Sequence, residues 1–404
     1  MMRLLFILIL LEVTSLQEDY ATHDCGNCML TVTRYGAVGY MNPAQIQGVG
    51  FHYPIMGLNH LFYGGFAAGT DANYVVDRFD DSDWTTTNSP NGMVVMYEPG
   101  PFSDEYATAM YSDSGHPTPK GLITCQYSIA WSDSTAYDFV IMKFVMKNNG
   151  VSSINELYAA IFMDWDIGDP YNNQGSSEEA RNLTWMYAYG YRYVGVAILD
   201  PKRDTPAANL SLINTFEHNV GIDSIKIKFL NGTIQIPSSP YSDDWLTCNS
   251  AGPSTLNPGD SAVAAFAIIG GDNLNDLKAN ADTAYNRYWQ VYGIEEENSF
   301  SISKSPSLLI YPNPFSEKAV FSVQCPVPSE KTAIELCIYD LSGRLVKSFQ
   351  LTTNLSALST AVSWNGEDNS GHQVPGGLYF VRLAVSPVGE TPGKSITRKI
   401  IKLK

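Results

Sequence analysis

The feature that most limits the fold of this 404-residue chain is the repeated alternation of short apolar runs with turn residues. Residues 137–147 (YDFVIMKFVMK) and 156–166 (ELYAAIFMDWD) have the length and composition of buried strands, and an Asn-Asn-Gly turn lies between them. Similar strand-like runs occupy residues 29–39, 122–131, 191–199, 222–236 and 261–269. The 32 glycines and 22 prolines supply the turns that short strands need. The pattern predicts a mainly β protein, although the polar residues 71–120 contain few clear strands.

A single segment has the periodicity of an amphipathic helix. Residues 272–292 place six apolar side chains on one helical stripe, and Asp272 or Asn273 can cap its start. The stripe consists of Leu274, Leu277, Ala281, Ala284, Tyr285 and Tyr288. We predict a helix that packs within the protein rather than one that binds a partner, near the end of a large, sandwich-like β domain.

Charge divides the chain into two parts. Charged residues make up only 16% of the sequence, below the roughly 25% of a typical soluble domain, and the formal net charge is −16. Residues 308–404 hold ten Lys/Arg against seven Asp/Glu, and the rest of the chain holds 15 against 34. This imbalance, together with the length, indicates two folded units. Because so acidic a surface repels phosphate backbones, the composition argues against nucleic-acid binding.

The N-terminus has the pattern of an export signal. Arg3 precedes an unbroken apolar run, Leu4–Leu11, which is shorter than a membrane-spanning helix needs. We therefore predict a signal peptide at residues 1–17; a buried first strand or a retained anchor is the alternative. No later stretch of the sequence approaches ~20 apolar residues, so no transmembrane segment is expected after signal removal.

Six cysteines follow this segment, an even number that permits disulfides in an exported protein. Cys325 and Cys337 flank a loop that contains two prolines, and we predict a disulfide between them. Cys25 and Cys28 have the spacing of a redox or zinc half-site, but no second pair completes a zinc site. For this pair, a tight structural disulfide and two free thiols both remain open.

Residues 308–404 carry an ordered series of short elements that ends on a basic strand. The elements are 309–315 (LIYPNPF), 334–346 (IELCIYDLSGRLV), 362–366 (VSWNG), 376–383 (GGLYFVRL) and 396–404 (ITRKIIKLK). Alternating apolar residues in the second element suit one buried sheet face, and its Ser-Gly pair suits a hairpin turn. The characteristic residues of the series are Tyr311, Pro312, Asn313, Pro314, Gly343, Gly377, Tyr379, Arg398, Lys399 and Lys402.

This series resembles the type A sorting domain of the type IX (Por) secretion system, an immunoglobulin-like β-sandwich at the C-terminus of exported proteins. The resemblance implies a sorting domain at 308–404, a linker at 294–307 and a passenger at 18–293, with the type IX secretion machinery as partner. It also implies a secreted or outer-surface location on a Gram-negative-type bacterium, where the passenger is released or attached to surface polysaccharide. The alternative is an accessory β-sandwich that binds a ligand or acts as a spacer.

The passenger has a weaker resemblance of its own. It contains the stretch GVGFHYP at 48–54, a Gly-Gly turn before Phe66, the strand and turn DFVIMKFVMKNNG at 138–150, and DWDIG at 164–168. These features resemble β-rich passengers that precede such sorting domains, and this resemblance implies no particular activity.

The sharpest polar feature of the passenger is the sequence DWDIGD at 164–169. Asp164 and Asp166 point to the same face of a strand, and a turn at Gly168 can bring Asp169 back toward them. Because hard oxygen ligands of this kind suit Ca²⁺, we predict a structural calcium site at these three aspartates. A polar strand end with ordinary hydrogen bonds is the alternative.

The same acidic residues are also compatible with a carbohydrate-active enzyme, since a glycosidase needs two facing carboxylates. The candidate groups are the carboxylates of Asp164, Asp166, Glu178 and Glu179 and the rings of Trp165, Trp185, Tyr187 and Tyr189, which can stack on sugars. The sequence contains no GxSxG elbow, HExxH motif or phosphate-binding loop. We therefore expect a non-catalytic binding or structural module, with glycan or surface polysaccharide as a partner, and a glycoside hydrolase as the alternative.

Overall fold

The computed structural model describes residues 14–79, 81–87, 92–292, 307–311, 315–316, 318–324, 332–351, 359–387 and 394–403. Residues 1–13 of the predicted signal peptide and 294–306 of the predicted linker lie outside this part of the chain. Residues 14–17, the end of the predicted signal peptide, belong to the first strand of the fold. The signal-peptide and linker boundaries therefore stay predictions.

The described part of the passenger contains nineteen strands and two α-helices. In chain order these are β1 Thr14–Glu18, β2 Tyr20–His23, β3 Met29–Thr33, β4 Ala37–Val38, β5 Phe51–His52, β6 Leu61–Asp71, β7 Tyr74–Asp77, β8 Thr85–Thr86, β9 Val94–Glu98, β10 Glu105–Ser112, β11 Leu122–Ala130, β12 Phe139–Asn148, β13 Ile154–Trp165, β14 Gln174–Glu178, β15 Leu183–Tyr187, β16 Tyr193–Asp200, β17 Asn209–Asn214, α1 Asp223–Leu230, β18 Trp245–Leu256, β19 Ser261–Gly271 and α2 Leu274–Tyr292.

The strands form two large antiparallel sheets. The first sheet has ten strands in the order β1-β9-β10-β11-β12-β19-β16-β15-β14, with β8 beside β10. The second has nine strands in the order β17-β18-β13-β6-β4-β3-β2, with β5 beside β3 and β7 beside β6. Buried apolar side chains from both sheets form one continuous cluster, so the sheets pack face to face. The mainly β, sandwich-like class predicted for the passenger is confirmed.

The centre of this core is aromatic. Phe66 of β6 and Phe144 of β12 stack across the two sheets with their ring centroids 3.9 Å apart. Phe266 of β19 meets Phe144 edge-on, with centroids 6.0 Å apart. Thr184 of β15 and Asn249 of β18 also join the sheets, through a buried hydrogen bond of 2.6 Å. Apolar packing and a satisfied polar contact thus both set how one sheet lies on the other.

Helix α2 covers the outer face of the first sheet, and the helix predicted at 272–292 is confirmed. Asn273 caps it, because its side chain accepts hydrogen bonds from the backbone N–H groups of Asn275 and Asp276. Its buried residues are Leu277, Ala281, Ala284, Tyr288 and Tyr292. They pack against the outward side chains of β12, β16 and β19, so these central strands are apolar on both faces.

Helix α1 covers the outer face of the second sheet, and the strand predicted at 222–236 is wrong. Ile225, Ile227 and Phe229 alternate with polar residues, a pattern typical of a strand. In the helix, however, Ile227 and Leu230 lie one turn apart and are buried with Phe229 against the sheet. The structure also places β7, β8, β9 and β10 within residues 71–120, where the sequence predicts few strands.

The C-terminal unit is a smaller sandwich of seven described strands. They are β20 Ser307–Tyr311, β21 Ala319–Gln324, β22 Thr332–Tyr339, β23 Leu345–Leu351, β24 Ser359–Trp364, β25 Gly377–Pro387 and β26 Lys394–Lys402. One sheet has the order β20-β21-β24, the other has the order β23-β22-β25-β26, and both are antiparallel. Their facing residues form a separate apolar core that includes Phe321, Leu336 and Trp364.

Several characteristic residues of the predicted sorting domain lie at the turns and in the core of this sandwich. Tyr311 ends β20, and Gly377 begins β25. Gly343 has a φ of +79° in the turn between β22 and β23, a backbone conformation that favours glycine. Tyr379 is buried edge-on against Trp364, with ring centroids 5.4 Å apart. Residues 312–314, which complete the YPNP element, lie outside the described residues.

The basic strand β26 lies at the outer side of its sheet. Arg398 and Lys399 are exposed, whereas Lys402 donates a hydrogen bond of 2.7 Å to the carbonyl oxygen of Val374. The backbone beside Lys402 also pairs with Phe315. Lys402 therefore holds the last strand on the domain.

The cysteine predictions have different outcomes. Cys25 and Cys28 are free thiols, which is the second of the two alternatives. Cys337 is buried on β22, and Cys325 lies outside the described residues, so the disulfide between them stays a prediction. Neither of the two described helices is long and apolar enough to cross a bilayer.

Candidate functional site

Three aspartates meet at one end of the second sheet, where β17, β18 and β13 lie side by side. Asp164 is the last residue but one of β13, Asp166 follows that strand, and Asp244 directly precedes β18. Asp164 pairs with Leu246 of β18, which brings the two strand ends into register. One carboxylate oxygen of each aspartate lies within 4.8 Å of the others. We call Asp164, Asp166 and Asp244 the acidic site.

Hydrogen bonds between loops hold the acidic site together. Thr215, which follows β17, donates its hydroxyl hydrogen to Asp244 Oδ2 at 2.9 Å. Asn214 donates to Asp243 Oδ2 at 2.8 Å, and the N–H of Asp243 donates to the carbonyl oxygen of Asn173 at 3.1 Å. Loops that are distant in sequence are therefore tied to one another around the carboxylates.

Asp169, the third predicted calcium ligand, is not part of this group. Its side chain accepts hydrogen bonds from the N–H of Tyr171 at 3.2 Å and from Asn172 Nδ2 at 3.0 Å, so it caps a short 3₁₀ helix at 170–172. The buried Asn173 side chain bonds both the N–H and the carbonyl oxygen of Ile167. The turn at 168 thus shapes the loop, and Asp244 supplies the third carboxylate.

The acidic site concentrates negative charge at the ends of two strands. Burial and the neighbouring Asp244 raise the pKa of Asp166 to about 6. Burial also raises the pKa of Asp244, whose Oδ1 is buried without a hydrogen-bond partner. Among the described residues, no lysine or arginine forms an ion pair with Asp166 or Asp244. A set of three carboxylate oxygen donors fits the preference of Ca²⁺ for hard ligands.

The aromatic residues predicted to stack on sugars lie mostly elsewhere. Trp165 and Trp185 are buried, so neither ring can contact a sugar. Tyr187 stacks on Tyr193 with ring centroids 5.0 Å apart, and only Tyr189 is fully exposed. The predicted carboxylate Glu178 lies on β14 of the other sheet, where it pairs with Arg181 and Lys278. The structure therefore does not bring Glu178 to the acidic site.

A different aromatic pair flanks the acidic site. Tyr171, in the loop after β13, and Phe216, in the loop after β17, stack with ring centroids 6.2 Å apart. Their exposed fractions are 58% and 68%, which is high for rings of this size. Phe216 follows Thr215, the residue that binds Asp244. Tyr241, in the loop before β18, donates a hydrogen bond to Glu217. No sequence signal marks these rings, because their proximity depends on strand order.

A second group of polar side chains is arranged like a hydrolase triad, but a substrate cannot reach it. Ser128 Oγ lies 2.7 Å from His23 Nε2, and His23 Nδ1 lies 3.0 Å from Glu105 Oε2. All three side chains are buried between β2 of one sheet and β10 and β11 of the other. Since no substrate can reach Ser128, this group joins the two sheets and does not catalyse acyl transfer.

Comparison with known proteins identifies the C-terminal unit. Residues 312–387 match the model of the FlgD Ig-like domain, so the predicted immunoglobulin-like sandwich is confirmed. The match covers this unit alone. No curated protein is significantly similar to the chain.

Solved structures give only distant likenesses to the whole chain. A polysaccharide lyase is 12% identical, with 85% of this chain and 39% of that chain covered and a TM-score of 0.25. Latent dimeric PorU from Porphyromonas gingivalis is 12% identical, with coverages of 93% and 31% and a TM-score of 0.24. PorZ, a surface component of the type IX secretion system of the same organism, is 11% identical, with coverages of 95% and 51% and a TM-score of 0.18.

The chain thus spans between about a third and a half of the length of these structures. TM-scores of this size do not define a shared fold, so these likenesses carry no argument about function.

The raised pKa of Asp166 predicts a pH dependence of stability. Its folded pKa of about 6 exceeds the unfolded value of roughly 3.9, so the charged carboxylate disfavours folding. The favourable contribution is complete below about pH 4 and is lost as the pH rises through about 6. We expect Asp166→Asn to reduce this loss, measured as the melting temperature across that pH range without added metal. The exposed Asp204→Asn is the control, and an equal response of the two variants would contradict the assignment.

Proposed function

We propose that this protein is exported through the type IX secretion system to the cell surface or medium, with residues 308–404 as its sorting signal. The observation that carries the proposal is the order of the characteristic residues along an immunoglobulin-like sandwich. Tyr311 ends its first described strand, Gly343 occupies a tight turn, Tyr379 lies in the core, and a basic strand comes last. This order agrees with the resemblance to type A sorting domains.

The distribution of charged residues supports different roles for the two units. The C-terminal unit has a small excess of Lys/Arg, and the rest of the chain has a large excess of Asp/Glu. Arg398 and Lys399 extend from the outer strand β26 into solvent, where a partner protein can contact them. The secretion machinery is the partner that this exposed basic strand would meet.

A reporter fusion tests the sorting proposal directly. We expect a periplasmic reporter followed by residues 294–404 to reach the surface or medium of a bacterium with a working type IX system. The matched controls are the reporter without these residues and the same fusion in a strain that lacks the secretion system. Retention of the fusion in the periplasm of the competent strain, despite a folded C-terminal unit, would refute the proposal.

We further propose that the passenger is a non-catalytic binding module that binds Ca²⁺ and glycan at the acidic site. The support for Ca²⁺ is the three converging carboxylates, with Asp244 in place of Asp169 as the third ligand. The support for glycan is the exposed Tyr171–Phe216 pair beside these carboxylates. Aromatic faces stack on the apolar faces of sugars, and carboxylates or a bound cation can accept or order hydroxyl groups.

Calcium binding has a measurable effect on stability. Because an ion that binds only the folded state stabilises it, a calcium concentration of 100 Kd adds about 2.7 kcal/mol. We expect calcium to raise the melting temperature and a chelator to reverse the rise. The response should disappear in Asp244→Asn and persist in Asp204→Asn. An equal rise in both variants would show that calcium binds elsewhere.

The aromatic pair gives a test that separates binding from catalysis. We expect the protein to bind at least one member of a panel of soluble polysaccharides, and Tyr171→Ala/Phe216→Ala to weaken binding at least tenfold. Tyr189→Ala, which removes an exposed ring away from this pair, is the control. Release of reducing ends that Asp164→Asn or Asp166→Asn abolishes would instead support the glycoside hydrolase.

A further inference from the structure

Lys226 is a fully buried lysine that none of the proposals above uses. It lies on α1, and its side chain and that of Asp77, the last residue of β7, both have an exposed fraction of 0%. Its Nζ contacts Asp77 Oδ2 directly and lies 3.1 Å from Asp81 Oδ2. Lysines are almost never fully buried in proteins unless they are paired, and Lys226 is paired with two carboxylates.

An apolar cluster adjoins this lysine and its carboxylate partners. The cluster between α1 and the second sheet includes Phe79, Phe162 and Phe229. At its rim, Asp223 brings a carboxylate oxygen within 4.8 Å of oxygens of Asp77 and Asp81, and its Oδ2 lies 3.7 Å from His116 Nε2. In such a setting, desolvation of an ammonium and a carboxylate costs several kcal/mol for each charge. Conversion of the pair into a neutral amide would remove both charges.

We propose that Lys226 and Asp77 react to form an intramolecular isopeptide bond. The Nζ ammonium first transfers one proton to Asp77 Oδ2, which leaves a neutral amine beside a neutral carboxyl group. The nitrogen then attacks Asp77 Cγ, so the Nζ–Cγ bond forms and the Cγ–Oδ2 bond breaks. Oδ2 leaves as water with two of the three protons that Nζ carried. The reaction needs no oxidant, reductant or other reactant.

Two neighbouring groups are placed to assist this step. Asp81 Oδ2, 3.1 Å from Nζ, can take the second proton from the nitrogen and return it to the departing oxygen. The N–H of Phe79 donates to Asp77 Oδ1 at 2.8 Å, where negative charge develops in the tetrahedral intermediate. Burial and the charge of Asp77 raise the pKa of Asp81 to about 7, which suits a proton carrier near neutral pH.

The bond would connect two residues that are 149 positions apart in the chain. It would fasten α1 to β7 and enclose ten of the nineteen described passenger strands, β8 to β17, in one covalent loop. Like a disulfide across a long loop, it would restrict the unfolded chain and so stabilise the fold. Unlike a disulfide, it would withstand reduction. This inference is independent of the proposed export and binding functions.

Peptide mapping of the full-length protein tests the proposal. After denaturation and trypsin digestion, we expect peptide 35–78 to be joined to peptide 204–228, with a combined mass lower by one water than the sum. Trypsin should not cut after Lys226, since an amide replaces its ammonium, whereas it should still cut after the exposed Lys228. Recovery of unlinked 35–78 and 204–226 as the dominant products from protein shown to be folded before digestion would overturn the proposal.

Variants separate the reaction from simple packing. Lys226→Arg keeps the positive charge but cannot form this bond, so both peptides should be unlinked. Asp81→Asn keeps the size of the side chain but removes the proton carrier, and the linked fraction should fall at least tenfold. Lys228→Arg, two residues along the same helix, should remain fully linked. An unchanged linked fraction in Asp81→Asn would refute the role of Asp81 as proton carrier. Linked peptides in Lys226→Arg would refute the assignment of the bond to Lys226.

Discussion

The face-to-face packing of the two large sheets, centred on the stack of Phe66 against Phe144, is the interaction on which the passenger depends. Central strands such as β12 and β19 are apolar on both faces, so each sheet needs a second cover on its outer side. Helices α2 and α1 supply these covers. The acidic site lies outside these covers, at the strand ends and in their loops.

Elements with their own periodicity could be predicted from the sequence, and elements set by distant contacts could not. Strands β12, β13 and β19 and helix α2 follow from local patterns of apolar residues. Helix α1 does not, because its short alternating sequence is compatible with a strand and its burial depends on the second sheet. Likewise, the two-residue period of a strand predicts that Asp164 and Asp166 share one face. Asp244 is 80 residues after Asp164 and joins them only because β18 lies next to β13 in the sheet.

The two groups of reactive side chains in the core show how access decides what geometry can do. Ser128, His23 and Glu105 have distances that suit catalysis, yet their burial excludes any external substrate. Lys226 and Asp77 are equally buried, but a reaction between them needs no substrate to enter. The acidic site differs from both, because its carboxylates are only partly buried and exposed rings lie on the loops around them. Burial therefore separates the acidic site from the two core groups, and the need for an external substrate separates those two groups from each other.

The position of β19 in the first sheet has a consequence for the order of folding. This strand lies between β12 and β16, near the middle of the ten-stranded sheet, yet it is the last strand of the passenger in sequence. Until residues 261–271 are available, the sheet exists as two halves with unpaired edges. The passenger therefore cannot reach its native topology strand by strand from the N-terminus. Its closure depends on pairing across long sequence separations, which slows folding until nearly the whole domain has been made.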